Sequence, residues 1–156
     1  MTRKPARADS EALALELWVV LSRAHRAVAE HVKADVGCHA LTPATFGILE
    51  ALHHKGPMLL GELQQKVLVS SGGMTYLVDR LVGQGFVVRQ ACEEDRRAVY
   101  AALTDEGEAL IRRIFPAHAK RIAEAVAGLD DADKRTAIDL LRRLGLAAEA
   151  AEAERA

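Results

Sequence analysis

Between positions 70 and 76 the chain reads Ser-Ser-Gly-Gly-Met-Thr-Tyr, so Ser70, Ser71, Gly72, Gly73, Thr75 and Tyr76 are each small or able to hydrogen-bond. A helix that starts with such residues is slim enough to enter a DNA major groove, with its donors aimed at base edges and phosphates. Two glycines inside a helix cost about 1 kcal/mol each relative to alanine, so their presence asks for a reason. Close approach of the backbone to a ligand is one reason. A helix cap packed tightly on the preceding helix is another, and residue types alone leave both open. A second cluster, Glu93-Glu94-Asp95-Arg96-Arg97, has the composition of a hairpin tip. An arginine there could reach into a narrow minor groove, where negative potential concentrates. The same charges also suit a plain solvated turn.

The elements that would hold these residues follow from periodicity. A first helix is predicted over about 10–35, with Ser10 as N-cap and Leu13, Leu17, Val20, Leu21, Ala24, Val28 and Val32 in one apolar stripe. Thr42-Pro43 opens a second helix, threonine at the N-cap and proline at the first helical position, with Phe46, Leu49 and Leu52 on one face. A short helix over 60–67 presents Leu63 and Val67. Residues 70–73 turn the chain into a fourth helix, whose buried stripe is Met74, Leu77, Val78 and Leu81. The pattern then shortens to two β-like runs, 86–89 and 99–103, joined through the charged tip. Thr104 caps a fifth helix that runs to about Ala127 and should kink at Pro116. A sixth spans about 132–148 with Ile138, Leu141 and Leu144 facing inward, and the tail from Glu149 should fray.

The order is helix, then three helices and a hairpin, then two helices. This is a mainly α chain: a winged helix-turn-helix with a two-stranded β wing, flanked by long helices. The expected divisions are 1–40, a DNA-binding lobe over 41–104, and 105–156. The flanking helices are too apolar to stand alone, and their stripes invite a second copy of the chain.

Composition bounds this reading without supporting it. Half of the 156 residues are hydrophobic and only 4% are aromatic, so the core must be built from Leu, Ala, Val and Ile. Across 41–104 the basic residues Lys55, Lys66, Arg80, Arg89, Arg96 and Arg97 are matched by Glu50, Glu62, Asp79, Glu93, Glu94 and Asp95, leaving a lobe of zero formal charge. A strongly basic lobe would have been a footprint for nucleic acid; here any positive face must come from arrangement or from a partner subunit. The N-terminus has no signal-peptide pattern and no apolar run spans a membrane, so a cytoplasmic location and no membrane partner are expected. Phosphate-binding loops, nucleophile elbows and dinucleotide turns are lacking, and the expectation is neither an enzyme nor a cofactor protein.

Together the pieces resemble the MarR family of bacterial regulators. The matching runs are LTPATFGILEAL at 41–52, GPMLLGELQQKVLVSSGGMTYLVDRLVGQGFVVR at 56–89 and EEDRRAVYAALTDEG at 93–107. An Asp-x-Arg signature falls on Asp95 and Arg97, before a strand ending in Leu-Thr and an acidic helix start. The resemblance implies a triangular homodimer on a roughly palindromic double-stranded operator, the outer helices forming its base. Ser71, Gly73, Thr75 and Tyr76 fall where the family's recognition helix meets DNA, beside Ser70. Arg97 and Arg96 fall at the minor-groove position of the wing, with Asp95 bracing it. Gly73 and Tyr76 stand where many members carry Thr and Arg, which shifts weight to the wing and to Arg80.

The resemblance also implies a small-molecule effector, commonly an aromatic acid or phenol, in a crevice between base and lobe. Trp18, Arg23, His25, Phe46, His53, Ile111 and Phe115 are the candidates for it, although Trp18, Phe46 and Phe115 also read simply as core. Relatives that sense oxidants carry a cysteine near the start of the first helix, where this chain has Trp18. A thiol switch would rest on Cys92 or Cys38, and needs a lowered thiol pKa. Zinc-sensing relatives exist too, but His25, His31, His39, His53, His54 and His118 show no ligand spacing and no metal is expected. The remaining rival is a winged-helix module for protein contacts, which the neutral lobe and paired glycines would suit.

Overall fold

The computed structural model describes residues 7–67, 71–91 and 98–155, and the chain divides into two units, Met1–Ile122 and Ala123–Ala156. The elements in order are α1 (Arg7–Gly37), α2 (Pro43–Lys55), β1 (Met58–Leu59), α3 (Leu60–Val67), α4 (Ser71–Gly83), β2 (Val87–Ala91), β3 (Val99–Leu103), α5 (Asp105–Ala125) and α6 (Asp131–Ala153). Mainly helical, with a winged helix-turn-helix between long helices, the architecture is the one expected.

Local chemistry explains most boundaries. Thr42 and Thr45 cap α2 reciprocally: the Thr45 N–H donates to Thr42 Oγ1 at 3.2 Å, and the Thr42 N–H donates to Thr45 Oγ1 at 2.8 Å. Gly56, at φ 77°, closes the helix by donating its N–H to the Leu52 carbonyl at 2.9 Å. Thr104 caps α5 by accepting the Gly107 N–H at 3.0 Å. Asp130 caps α6 by accepting the Asp133 N–H at 2.8 Å.

The hairpin gains a strand that periodicity missed. β1 pairs antiparallel with β3, Met58 opposite Ala101 and Leu59 opposite Tyr100, giving the order β1-β3-β2. Two residues carry no alternation, so only the pairing reveals the strand. Ser10 lies inside α1, which already runs from Arg7, and so is not its cap. α5 remains helical on both sides of Pro116 and ends at Ala125.

One core serves the first unit. Ile48 and Leu49 of α2, Leu63 of α3, Met74, Val78 and Leu81 of α4, Val87 of β2 and Ala101 of β3 are buried together. Val36 of α1 and Leu110, Ile111 and Ile114 of α5 join the same cluster, so the lobe's core extends into α1 and α5. The N-terminal half of α1 does not share it: Leu13, Leu15, Leu17, Trp18 and Val20 are exposed. Trp18 is therefore not a core residue of this chain.

In the second unit, α6 has no buried residue, and Ile138, Leu141 and Leu144 are exposed rather than inward-facing. The amphipathic stripe is real, but a stripe states which side is apolar and not what covers it. Nor does the chain leave helix at Glu149; Ala and Glu are good helix formers, and α6 continues to Ala153. Among the described residues no helix is long and apolar enough to cross a membrane.

Candidate nucleic-acid interface

The start of α4 divides cleanly by face. Met74, Val78 and Leu81 turn into the core, with Leu77 packed against it, and that leaves Gly72, Thr75, Tyr76, Asp79 and Arg80 exposed on the outer side. Tyr76 is the most telling, a large side chain 66% exposed in mid-helix. The two glycines lie in the helix proper and not in a turn before it. A Cβ placed on Gly72 would meet nothing within 4 Å among the described residues. Tight internal packing is therefore not what requires glycine at 72. Ser71 contributes its backbone to the first turn of α4. Ser70 and the whole tip, with Cys92, Asp95, Arg96 and Arg97, lie outside the described residues.

Behind the exposed face, β2 is fastened to α4. The Arg89 guanidinium lies 2.8 Å from Asp79 Oδ1 and donates to the Thr75 carbonyl at 3.4 Å. At the other end of β2, Thr104 Oγ1 donates to the Gly85 carbonyl at 2.7 Å, and the Thr104 N–H donates to the Phe86 carbonyl at 3.1 Å. Gly107 sits so close to this turn that a Cβ there would come within 2.0 Å of the Phe86 carbonyl oxygen.

The effector candidates divide between core and surface. Phe46 and Ile111 are core, Trp18, Arg23 and His25 are exposed on α1, and Phe115 packs partly buried with its ring edge toward His54 at 5.1 Å. His25 borders an apolar hollow of about 270 Å³ with Val28, Ala29, Val32 and Pro43. His53 belongs instead to a polar joint between α2 and α5: its Nδ1 lies 3.1 Å from both Glu108 oxygens. That hydrogen bond, helped by one from Arg112 Nε at 2.6 Å, holds the Glu108 carboxyl below its ordinary pKa against a smaller opposing effect of burial.

Sequence reasoning weighed His118 only as a metal ligand. Its Nδ1 donates to Asp35 Oδ2 of α1 at 2.7 Å, and its ring lies 4.2 Å from that of Phe46 in α2. The residue is buried and so ties three helices at one point. Its spacing from Ile111 and Ile114 put it on the apolar stripe of α5, which is the signal that could have marked it. Cys38 is exposed, its thiol donating to the Ala34 carbonyl at 3.4 Å. No three His, Cys, Asp or Glu side chains among the described residues converge to hold a metal ion.

Comparison with known proteins gives this geometry a setting. The MarR family model matches residues 41–99. The chain is 38% identical over 135 residues to the HTH-type transcriptional regulator MhqR of Bacillus subtilis (strain 168), covering 86% of this chain and 93% of that one. Two solved structures from Streptomyces coelicolor share the fold. AbsC, a MarR family transcriptional regulator, superposes with a TM-score of 0.80 at 21% identity over 96% of this chain and 99% of its own. Sco3205, a MarR family regulator in complex with DNA, gives 0.79 at 23% identity over 93% and 91%.

Proposed function

The chain belongs to the MarR family of DNA-binding transcriptional regulators, and from that premise we propose that it acts as a homodimeric repressor on a roughly palindromic operator. The observation that carries this reading is the outer face of α4, where Gly72, Thr75, Tyr76 and Arg80 are exposed while Met74, Val78 and Leu81 hold the helix to the core. In the proposal Ser70, Ser71, Gly73, Thr75 and Tyr76 meet bases and backbone in the major groove. Arg80 meets phosphate, Arg97 and Arg96 enter the adjacent minor groove, and Asp95 braces the wing. The exposed apolar residues of α1 and of α6 serve the second copy. A small apolar or aromatic effector releases the DNA, and we place it in the hollow beside His25, whose 270 Å³ lies near the lower end for small-molecule sites.

The test is selection of a duplex from a random-sequence pool, followed by gel shifts titrated with salt. A regulator gives a specific duplex and a steep fall of log affinity with log salt. Failure to enrich any duplex at low salt would overturn the proposal. Arg97→Ala is expected to weaken the selected duplex by about 1–3 kcal/mol; unchanged affinity would mean that the wing does not engage.

A further inference from the structure

The lobe's formal neutrality conceals how its charges are used. Arg89 stands on β2, opposite Ala101 of β3, in the strand that leads to the wing tip. Its guanidinium does not stand free: it binds the Asp79 carboxylate at 2.8 Å and the Thr75 carbonyl at 3.4 Å, two groups one turn apart on the same face of α4. Thr75 and Asp79 each immediately precede a residue proposed to meet DNA, Tyr76 and Arg80. The ion pair is half-exposed, 31% and 61% for its two side chains, and such pairs contribute little to stability. What it supplies is geometry.

We propose that Arg89 is a positioning residue for DNA reading, one that fixes the wing strand to the recognition helix through Asp79 and the Thr75 carbonyl instead of contacting DNA itself. The proposal rests on the DNA reading above and goes beyond it, because it removes one of the lobe's basic residues from the phosphate contacts and makes an acid on α4 necessary for binding. Helix and wing strand then move as one body, and their spacing is set before DNA arrives.

The test uses the full-length chain and the duplex enriched by the wild-type protein. Arg89→Ala is expected to weaken binding about tenfold, as does Asp79→Ala, and the double variant should be no weaker than Arg89→Ala alone. The slope of log affinity against log salt stays unchanged, and thermal unfolding midpoints barely move. A second duplex carries one extra base pair between the inner and outer parts of each half-site. The wild type should reject it strongly, and Arg89→Ala should reject it less, since the wing is then uncoupled from the helix. Equal weakening on both duplexes by a variant whose unfolding midpoint is unchanged would overturn the proposal. Arg89 is instead a phosphate contact if Arg89→Ala lowers the salt slope by about 0.9 while Asp79→Ala leaves binding unchanged or tighter. Should Arg89→Ala unfold, Arg89→Gln with the same two duplexes answers the same question. Failure to enrich any duplex defeats the DNA reading at the first step, before Arg89 is tested, and takes this proposal with it.

Discussion

Gly72 isolates what a single residue does for binding, because among the described residues its absent side chain has no neighbour to displace. Alanine in its place should stabilise α4 by about 0.5–1 kcal/mol, read as a higher midpoint in thermal or urea unfolding. If the backbone approaches DNA there, the same Gly72→Ala variant binds the selected duplex about tenfold more weakly, from a loss of about 1.4 kcal/mol. A stabilised protein with unchanged affinity would remove Gly72 from the interface. Glu108 offers a proton-linked test of the joint with His53. Its carboxyl is held below its ordinary pKa in the folded chain, so the folded state binds the proton less readily than the unfolded one. The stabilisation is present above the unfolded pKa and is lost as pH falls through the folded value. Stability should therefore decline on the acid side more steeply in the wild type than in Glu108→Gln, when unfolding midpoints are followed below about pH 5.

Among the elements, α1 and α5 are joined to the lobe by polar contacts as well as core. His118 hydrogen-bonds Asp35 of α1 and packs its ring, tilted, against that of Phe46 in α2. His118→Ala would open a cavity and leave a half-buried carboxylate without this partner, costing about 2–4 kcal/mol in urea unfolding. A cost under 1 kcal/mol would show that the joint is incidental. What was legible at this scale had a local cause. Thr42-Pro43 marked α2, the span 60–67 marked α3, and Met74, Val78 and Leu81 marked the inner side of α4, because capping and helical period are written in adjacent residues. β1 was not legible, since its two residues become a strand only by lying beside Ala101 and Tyr100. The start of α1 was misplaced at Ser10 because a good capping residue also tolerates the first turn. In the candidate interface, residue types at 70–76 pointed to α4, whereas the Arg89–Asp79 link depends on where a strand passes a helix and leaves no pattern in either. The effector candidates fell on both core and surface for a related reason: Phe46, Ile111 and Trp18 were chosen by type, and type does not separate the two.

For the whole molecule the apolar surface is the main fact. Leu13, Leu17, Trp18 and Val20 of α1 are exposed, and in the other unit so are Ile138, Leu141 and Leu144 of α6. Apolar area on this scale is seldom left to water in a monomer. Leu141→Glu changes an exposed position and so should leave the isolated chain's fold intact. In the proposed dimer it buries a charge, which should shift sedimentation toward monomer and make the unfolding midpoint more dependent on protein concentration. A variant that remains dimeric under those conditions would exclude this face of α6 from the interface.

The meeting of Gly107 with the Phe86 carbonyl carries a mechanical consequence. With a Cβ position only 2.0 Å from that oxygen, the first turn of α5 and the entry to β2 have no slack between them. Thr104 spans the same gap with two hydrogen bonds. The first turn of α5 and the entry to β2 are thus fitted backbone to backbone, with room between them for a hydrogen atom and no more. Larger residues at 107 would not merely crowd the turn; they would force the helix start and the strand entry apart.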